Sequence, residues 1–431
     1  MTHLNLTYDR IKSGLQIKPA LLPLVLMSMR GITLVVKFAF TLFIAKYVGL
    51  NELGIYGLVS AAGIVSPAIF GLGIMHLLSR SAVKQPLGET KSDLIRYFNY
   101  LSIFYFVAAI CIMTYFAING NWVMAALILL VIFLEHINGE CYQLMINLSR
   151  PLLADILHFT RSASWVLIYM ALAGVFIPMR NIHALLIAWI VGSGLCTLIY
   201  MLVISRLPSS TTANQRSLWN WLGFRSKQSS WLYLNGIATT GANYSDRYII
   251  GAFLTLELTG VYLFFWQIQS ALSNLIYTGL IQIARPAFVK NFTQINPDWK
   301  IVKNLMRSTT IVAVIFSILA LIVMAIALPF FKIPLVSQYF NLFVLILIAF
   351  IFNVLAEVQV LVFYSKHKDH QVSLITLAVF VLNLLGCLCT IPFWGLWGAA
   401  STAIFSALIR LSLLSHFIAG YKAGDLKGAE S

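Results

Sequence analysis

Residues Ile182 to Ile204 read IHALLIAWIVGSGLCTLIYMLVI, an apolar run without a single Asp, Glu, Lys or Arg. About 20 such residues, wound into a helix at 1.5 Å per residue, cross the roughly 30 Å of a bilayer's hydrocarbon. Working outward, the same reading finds runs at Leu21 to Ala45, Gly54 to Leu77, Tyr97 to Ala117, Trp122 to Leu144 and Leu152 to Phe176. Beyond it lie Trp231 to Leu254, Gly260 to Ile283, Thr309 to Phe331, Tyr339 to Tyr364, Val372 to Phe393 and Leu396 to Ile418. The composition agrees, with 60% hydrophobic and 10% charged residues and a mean hydropathy of +0.87. A soluble domain has about 45–50% apolar and about 25% charged residues. The expectation is an all-α membrane protein with twelve transmembrane helices in two six-helix lobes around a central cavity. Residues 1–205 form the first lobe, 206–230 the interlobe linker, and 231–431 the second lobe with its tail.

The formal charge of +15 is a topology signal before it is a ligand signal, because the cations sit between the apolar runs. With the N-terminus inside, the inner segments hold Arg10, Lys12, Lys18, Arg80, Lys84, Lys91, Arg96, Arg150 and Arg206, and further clusters follow around Arg225, Arg285, Lys300, Lys366 and Lys422. The outer segments hold only Lys46, Arg180 and Lys332. Lys and Arg concentrate on the cytoplasmic side of membrane proteins, so both termini are expected there. The polar lead from Met1 to Lys18 precedes a run that carries Arg30 and Lys37. It differs from a cleavable signal and is expected to remain as an inner leader.

Several function classes drop out. No Walker loop is present, which argues against ATP hydrolysis. No outer connection is long enough to house an extracytoplasmic active site, so an enzyme is not expected. The cysteines Cys111, Cys141, Cys196, Cys387 and Cys389 lie inside apolar runs and form neither a metal spacing nor a disulfide framework. No cofactor, metal or nucleic-acid partner is expected.

Two features mark the organisation. Arg216 to Arg225 reads RSLWNWLGFR, which suits an amphipathic segment on the inner interface or an ordinary linker with aromatic anchors. Leu50 to Tyr56 reads LNELGIY and Leu256 to Tyr262 reads LELTGVY, so Leu50, Gly54 and Tyr56 meet Leu256, Gly260 and Tyr262 at an offset of 206 residues. An even number of spans per half relates the halves by an axis along the membrane normal, with the substrate path between them.

Ionisable side chains inside spans are functional candidates, because each costs about 2.5–3.5 kcal/mol at the centre on an insertion scale. The cations are Arg30, Lys37, Arg161, Arg247 and Arg410, and the acids drawn from the runs are Glu135, Glu140, Asp246 and Glu357. Arg30 and Lys37 are two helical turns apart on one face. They fit either a phosphate-binding stripe or a salt-bridge network with Glu135, Glu140 or Glu357. In the seventh run Asn235, Thr239, Asn243 and Arg247 recur every four residues, and in the eighth Gln267, Ser270, Asn274, Thr278 and Gln282 share a broad polar face. Such faces line a wet path or a helix interface. Asp246 and Arg247 lie about 100° apart around the helix and do not face each other. His76, His158 and His416 sit near inner span ends. His136 and the isolated Glu357 are candidates for proton coupling, and Arg161 and Arg410 for snorkelling to the inner headgroups.

These residues carry a resemblance. Glu52-Leu-Gly-Ile-Tyr56, Gly71-Leu-Gly73 and Arg80 resemble the amino-terminal pattern of Wzx-type O-antigen flippases of the multidrug/oligosaccharidyl-lipid/polysaccharide (MOP) exporter superfamily. Asp246-Arg-Tyr-Ile-Ile250, Glu257-Leu-Thr-Gly-Val-Tyr262 and Arg285-Pro286 resemble its second half. The resemblance implies alternating access and an undecaprenyl-pyrophosphate-linked oligosaccharide, moved from the cytoplasmic to the periplasmic leaflet of a bacterial inner membrane. It further implies a polysaccharide polymerase and a chain-length regulator as partners. On this expectation Arg30, Lys37, Arg161, Asn243, Arg247 and Asn274 bind substrate, while Asp246 and Glu357 serve ion coupling. An ion-coupled multidrug exporter of the same superfamily is the alternative.

Overall fold

Inside a bilayer every backbone N–H and C=O must be satisfied within the protein, and the computed structural model accordingly runs as helix after helix, with no strand among the described residues. The structure describes residues 22–82, 86–119, 121–148, 150–208, 217–292, 294 and 297–429. The leader from Met1 to Lys18 lies outside them. The first half comprises α1 (Leu22–Phe43), α2 (Leu50–Phe70), the short α3 (Ile74–Ser81), α4 (Leu87–Asn119), α5 (Trp122–Asn147), α6 (Pro151–Phe159), α7 (Trp165–Val175) and α8 (Ile182–Ser205). The second half comprises α9 (Leu218–Phe253), α10 (Leu256–Ile276), α11 (Gln282–Phe292), α12 (Lys300–Phe331), α13 (Pro334–Gln338), α14 (Phe340–Ser365) and α15 (Asp369–Ala429). A π-turn at Thr160–Ser164 joins α6 to α7, and another at Tyr277–Ile281 joins α10 to α11. Gly395, at φ 57°, breaks α15 between the eleventh and twelfth apolar runs.

Local sequence sets many of these ends. Asn181, Ser217 and Thr255 cap α8, α9 and α10, their side chains accepting from Ala184 N, Asn220 N and Leu258 N. Nine helices among the described residues are long and apolar enough to cross a membrane. Residues 369–422 count once in that set although Gly395 divides them, and the polar α9 and α10 are not in it. Large apolar side chains such as Phe393, Phe330 and Val175 are 83%, 74% and 76% exposed, as suits a surface solvated by lipid. The chain is a multi-pass, all-α membrane protein.

The seventh run begins earlier than its apolar residues suggest. α9 is continuous from Leu218, so most of the Arg216–Arg225 segment forms its first turns. Trp221 is buried, while Trp219 and Phe224 remain exposed. Asp93 holds this extension against α4, accepting from Trp221 Nε1 at 2.8 Å and Arg225 Nη2 at 2.5 Å. Ser229 Oγ donates to the Leu72 carbonyl at 2.7 Å, where the chain bends between α2 and α3.

The short repeat becomes a contact between the halves. A Cβ on Gly54 would lie 2.2 Å from the Leu256 carbonyl oxygen, and one on Gly260 would lie 2.1 Å from that of Leu50. The relation is reciprocal, as a local two-fold requires, and only glycine permits backbones to meet so closely. The partners of this repeat bend alike as well. The break at Gly71–Gly73 and the π-turn at Tyr277–Ile281 fall at the same 206-residue offset.

Without a hydrophobic drive between helices in lipid, packing rests on shape. In the first half Phe40 sits edge-on to Tyr56, Trp165 and Tyr169 at 5.3, 5.5 and 5.9 Å. Trp165 stacks on Trp189 at 5.7 Å, and Gly192 leaves room for it, since a Cβ there would come within 2.7 Å of the indole.

Candidate functional site

α5 carries Glu135, His136 and Glu140 on faces that meet α2, α4 and α8, and each acid is held by specific neighbours. Glu135 Oε1 accepts from Trp189 Nε1 at 3.0 Å and Ser193 Oγ at 2.7 Å. Its other oxygen lies 3.7 Å from Arg161 Nε. Gly63 makes that position possible, because a Cβ there would press to 2.9 Å against the Glu135 stem. His136 is fully buried, with Tyr105 OH at 2.9 Å from Nδ1 and Glu140 Oε2 at 3.6 Å from Nε2.

Arg161 stands in the π-turn between α6 and α7, a local irregularity found frequently at functional sites. The turn directs the Arg161 carbonyl to Trp165 Nε1 at 2.6 Å. The guanidinium is only 16% exposed, and its Nε and Nη1 have no hydrogen-bond partner. A separation of 3.7 Å is too long for a hydrogen bond, so Glu135 balances the charge of Arg161 without satisfying its N–H groups. Lys37 is half-buried within Coulombic reach of both Arg161 and Glu135.

A cavity of about 380 Å³ opens beside this network, in the size range of ordinary small-ligand sites. Its walls come from α2, α3, α5 and α9, with Arg161 contributed by the π-turn. Glu135, Glu140, Gln143, His76, Ser79, Tyr233 and Thr240 supply its polar surface, and Gly63, Pro67, Gly139 and Gly236 open space for it. The cavity therefore lies between the first half and the first helix of the second.

The sequence candidates distribute unevenly around it. Only Arg161 of the expected substrate-binding set lines the cavity. Arg30 departs from the unpaired cationic stripe. Its Nε and Nη2 donate to Asp155 at 3.1 and 3.2 Å, and Tyr142 OH accepts from Arg30 and donates to Asp155 at 2.8 Å. Sequence reading overlooks Asp155, although this acid sits inside the run that begins at Leu152. The π-turn brings Arg161 round to α5 and leaves Asp155 on α6 for Arg30. Glu140, named as a partner for the stripe, faces His136 instead.

Arg247 is also corrected. It is 2% exposed and lies under Trp266 and Tyr244, with ring centroids at 3.6 and 4.3 Å from the guanidinium carbon, so it does not line a shared chamber with Arg30 and Lys37. Its Nη2 donates to the Asn243 carbonyl at 3.4 Å, and its buried Nε has no hydrogen-bond partner beside these cation–π contacts. Asp246 accepts from Tyr262 OH at 2.5 Å and from the Arg247 amide at 2.8 Å. Asn243 and Asn274 are exposed, but neither borders the cavity. Glu357 is not isolated, because Arg410 Nη2 donates to it at 2.8 Å across the α14–α15 contact. The expected coupling acid and the expected snorkelling cation thus form one ion pair. His158 has a buried, unpartnered Nδ1 and packs on Tyr142, with ring centroids 5.3 Å apart.

No family model matches the chain, and no curated protein matches it. Its three-dimensional structure is similar to those of solved transporters. It matches an inward-facing multidrug resistance MATE family transporter of the MOP superfamily at 12% identity and a TM-score of 0.66, covering 91% of this chain and 96% of that one. It matches the lipid II flippase MurJ, in an inward closed conformation, at 11% identity and a TM-score of 0.73, covering 92% and 87%. A MATE in complex with MaD3S matches at 12% identity and a TM-score of 0.57, covering 93% and 94%. The chain has the helical fold that these membrane transporters share. Identities this low carry the architecture and leave the cargo to the site.

Proposed function

We propose that this chain is a flippase that moves an undecaprenyl-pyrophosphate-linked oligosaccharide from the cytoplasmic to the periplasmic leaflet of a bacterial inner membrane. Twelve spans in two lobes, the second beginning with α9 at Leu218 and not after a linker at 206–230, close and part at the Gly54–Gly260 contact. The basic segments and both termini face the cytoplasm. Pyrophosphate and sugars cross in the cavity while the prenyl tail stays in lipid, which removes the several kcal/mol that each unpaired polar group costs in hydrocarbon. No bond is made or broken. At the far leaflet the cargo passes to a polymerase and its chain-length regulator.

The observation that carries this reading is Arg161, a mostly buried side chain on the cavity wall whose Nε and Nη1 have no hydrogen-bond partner. A phosphate oxygen supplies the charge-assisted acceptors that Glu135 does not. Lys37 adds a second positive charge to the same network, whereas Arg30 is already committed to Asp155. The test is transport of a fluorescent lipid-linked oligosaccharide in proteoliposomes. Arg161→Ala is expected to abolish it and Arg161→Lys to retain part, since a point charge remains without the planar fork. Unchanged transport by Arg161→Ala sinks the proposal.

A second reading, an ion-coupled exporter of cationic compounds, is favoured by the acids Glu135 and Glu140 on the same wall. It predicts efflux of a cationic dye that fails in Glu135→Gln and survives in Arg161→Ala.

A further inference from the structure

Two chemically different groups border the cavity. Arg161 is one. Glu140 is the other, five residues beyond Glu135 and about 7–8 Å from it along the α5 axis. Glu140 is 9% exposed and borders the cavity; its Oε2 faces His136 Nε2 at 3.6 Å, beyond hydrogen-bond reach, and has no hydrogen-bond partner. Ser79, also on the cavity wall, is 3% exposed with an unpartnered Oγ. A buried carboxylate oxygen and a buried hydroxyl left unsatisfied on one wall cost free energy, and such groups are ordinarily paired. The carboxylate is firmly seated: its Oε1 and the Tyr97 hydroxyl meet beside Gly71, where a Cβ would come within 2.8 and 3.0 Å of them. Tyr233 borders the cavity from α9, and His76 and Gln143 add groups that donate and accept.

An acceptor-rich wall, a hydroxyl and an aromatic ring suit a polyhydroxylated ring better than a second phosphate, which Glu140 repels. We propose that Glu140 and Ser79 form a sugar-hydroxyl subsite, next to the pyrophosphate cation Arg161, that reads the first sugar of the cargo. The proposal rests on the flippase reading above. It orients the cargo, with the pyrophosphate toward Arg161 and the first sugar toward Glu140, and makes the carboxylate the group that distinguishes a glycosylated carrier from a bare one.

The full-length protein in detergent is titrated with geranylgeranyl pyrophosphate and with the same lipid carrying one N-acetylglucosamine or one galactose, each read by thermophoresis. The native chain is expected to bind a sugar-bearing probe at least about tenfold more tightly than the bare one. Glu140→Gln is isosteric and keeps the fold. It is expected to shrink that ratio to about twofold, and Ser79→Ala to shrink it part of the way. Arg161→Ala is expected to weaken all probes together. Equal affinity of the native chain for bare and sugar-bearing probes overturns the subsite, and so does an undiminished ratio in Glu140→Gln. A Glu140→Gln variant that keeps the ratio but loses pH-dependent transport assigns the residue to proton carriage and overturns it too. Loss of discrimination with Arg161→Ala unaffected on every probe overturns the flippase reading instead, so the two failures are separable.

Discussion

Alanine at Gly54 or Gly260 tests the interlobe contact directly. An ordinary C···O approach is about 3.3–3.6 Å. The new methyl group would stand 2.2 Å from the Leu256 oxygen, or 2.1 Å from that of Leu50. The backbones must therefore part by about 1 Å at this end, and no side-chain rotation relieves a clash with a carbonyl. Overpacking of this kind costs about 1–3 kcal/mol. It falls on the closed arrangement alone, because the clash vanishes once the lobes separate here. The ratio of closed to open forms should drop about 5- to 150-fold. Spin labels at Asn51→Cys and Glu257→Cys, in a background without the native cysteines, read the separation by pulsed electron resonance. Either alanine is expected to shift the distribution toward longer distances and to slow transport while abundance holds. Gly174→Ala is the control, since a methyl group there meets nothing within 4 Å. A Gly54→Ala,Gly260→Ala protein with the native distance distribution and native transport would refute the gate.

Removing Arg30 leaves Asp155, which is 2% exposed, without its cation. Arg30→Ala should cost about 1–3 kcal/mol and lower both melting temperature and abundance, and adding Asp155→Asn should recover most of it in a double-mutant cycle. Asp93→Ala withdraws the acceptor for Trp221 and Arg225. Hydrogen exchange over residues 218–230 should accelerate several-fold while the core of α5 stays protected. Glu357→Gln, paired with Arg410 and outside the cavity, should change transport less than about twofold. A transport loss as deep as that of Arg161→Ala would return Glu357 to the coupling role.

The apolar runs and the reciprocal LNELGIY and LELTGVY segments were readable because lipid imposes one-dimensional rules. Length, charge placement and glycine spacing follow from the bilayer and the helix, whatever the neighbours. The start of α9 was less readable. Arg216–Arg225 has the amphipathic look of a surface segment, and only the Asp93 contacts, made by a residue far along the chain, extend the helix through most of it.

By itself the sequence determined that this chain is a helical membrane protein and named most of the ionisable residues in its spans, Asp155 excepted. Pairing was decided by tertiary structure alone. A lone cation and a paired one read identically along a helix, and Coulomb energy depends on separations that the π-turn at Arg161 and the packing of α14 on α15 set. Arg30 went to Asp155, Glu357 to Arg410 and Arg247 to two aromatic rings, which left Arg161 and Glu140 on the cavity wall with hydrogen-bonding capacity unspent.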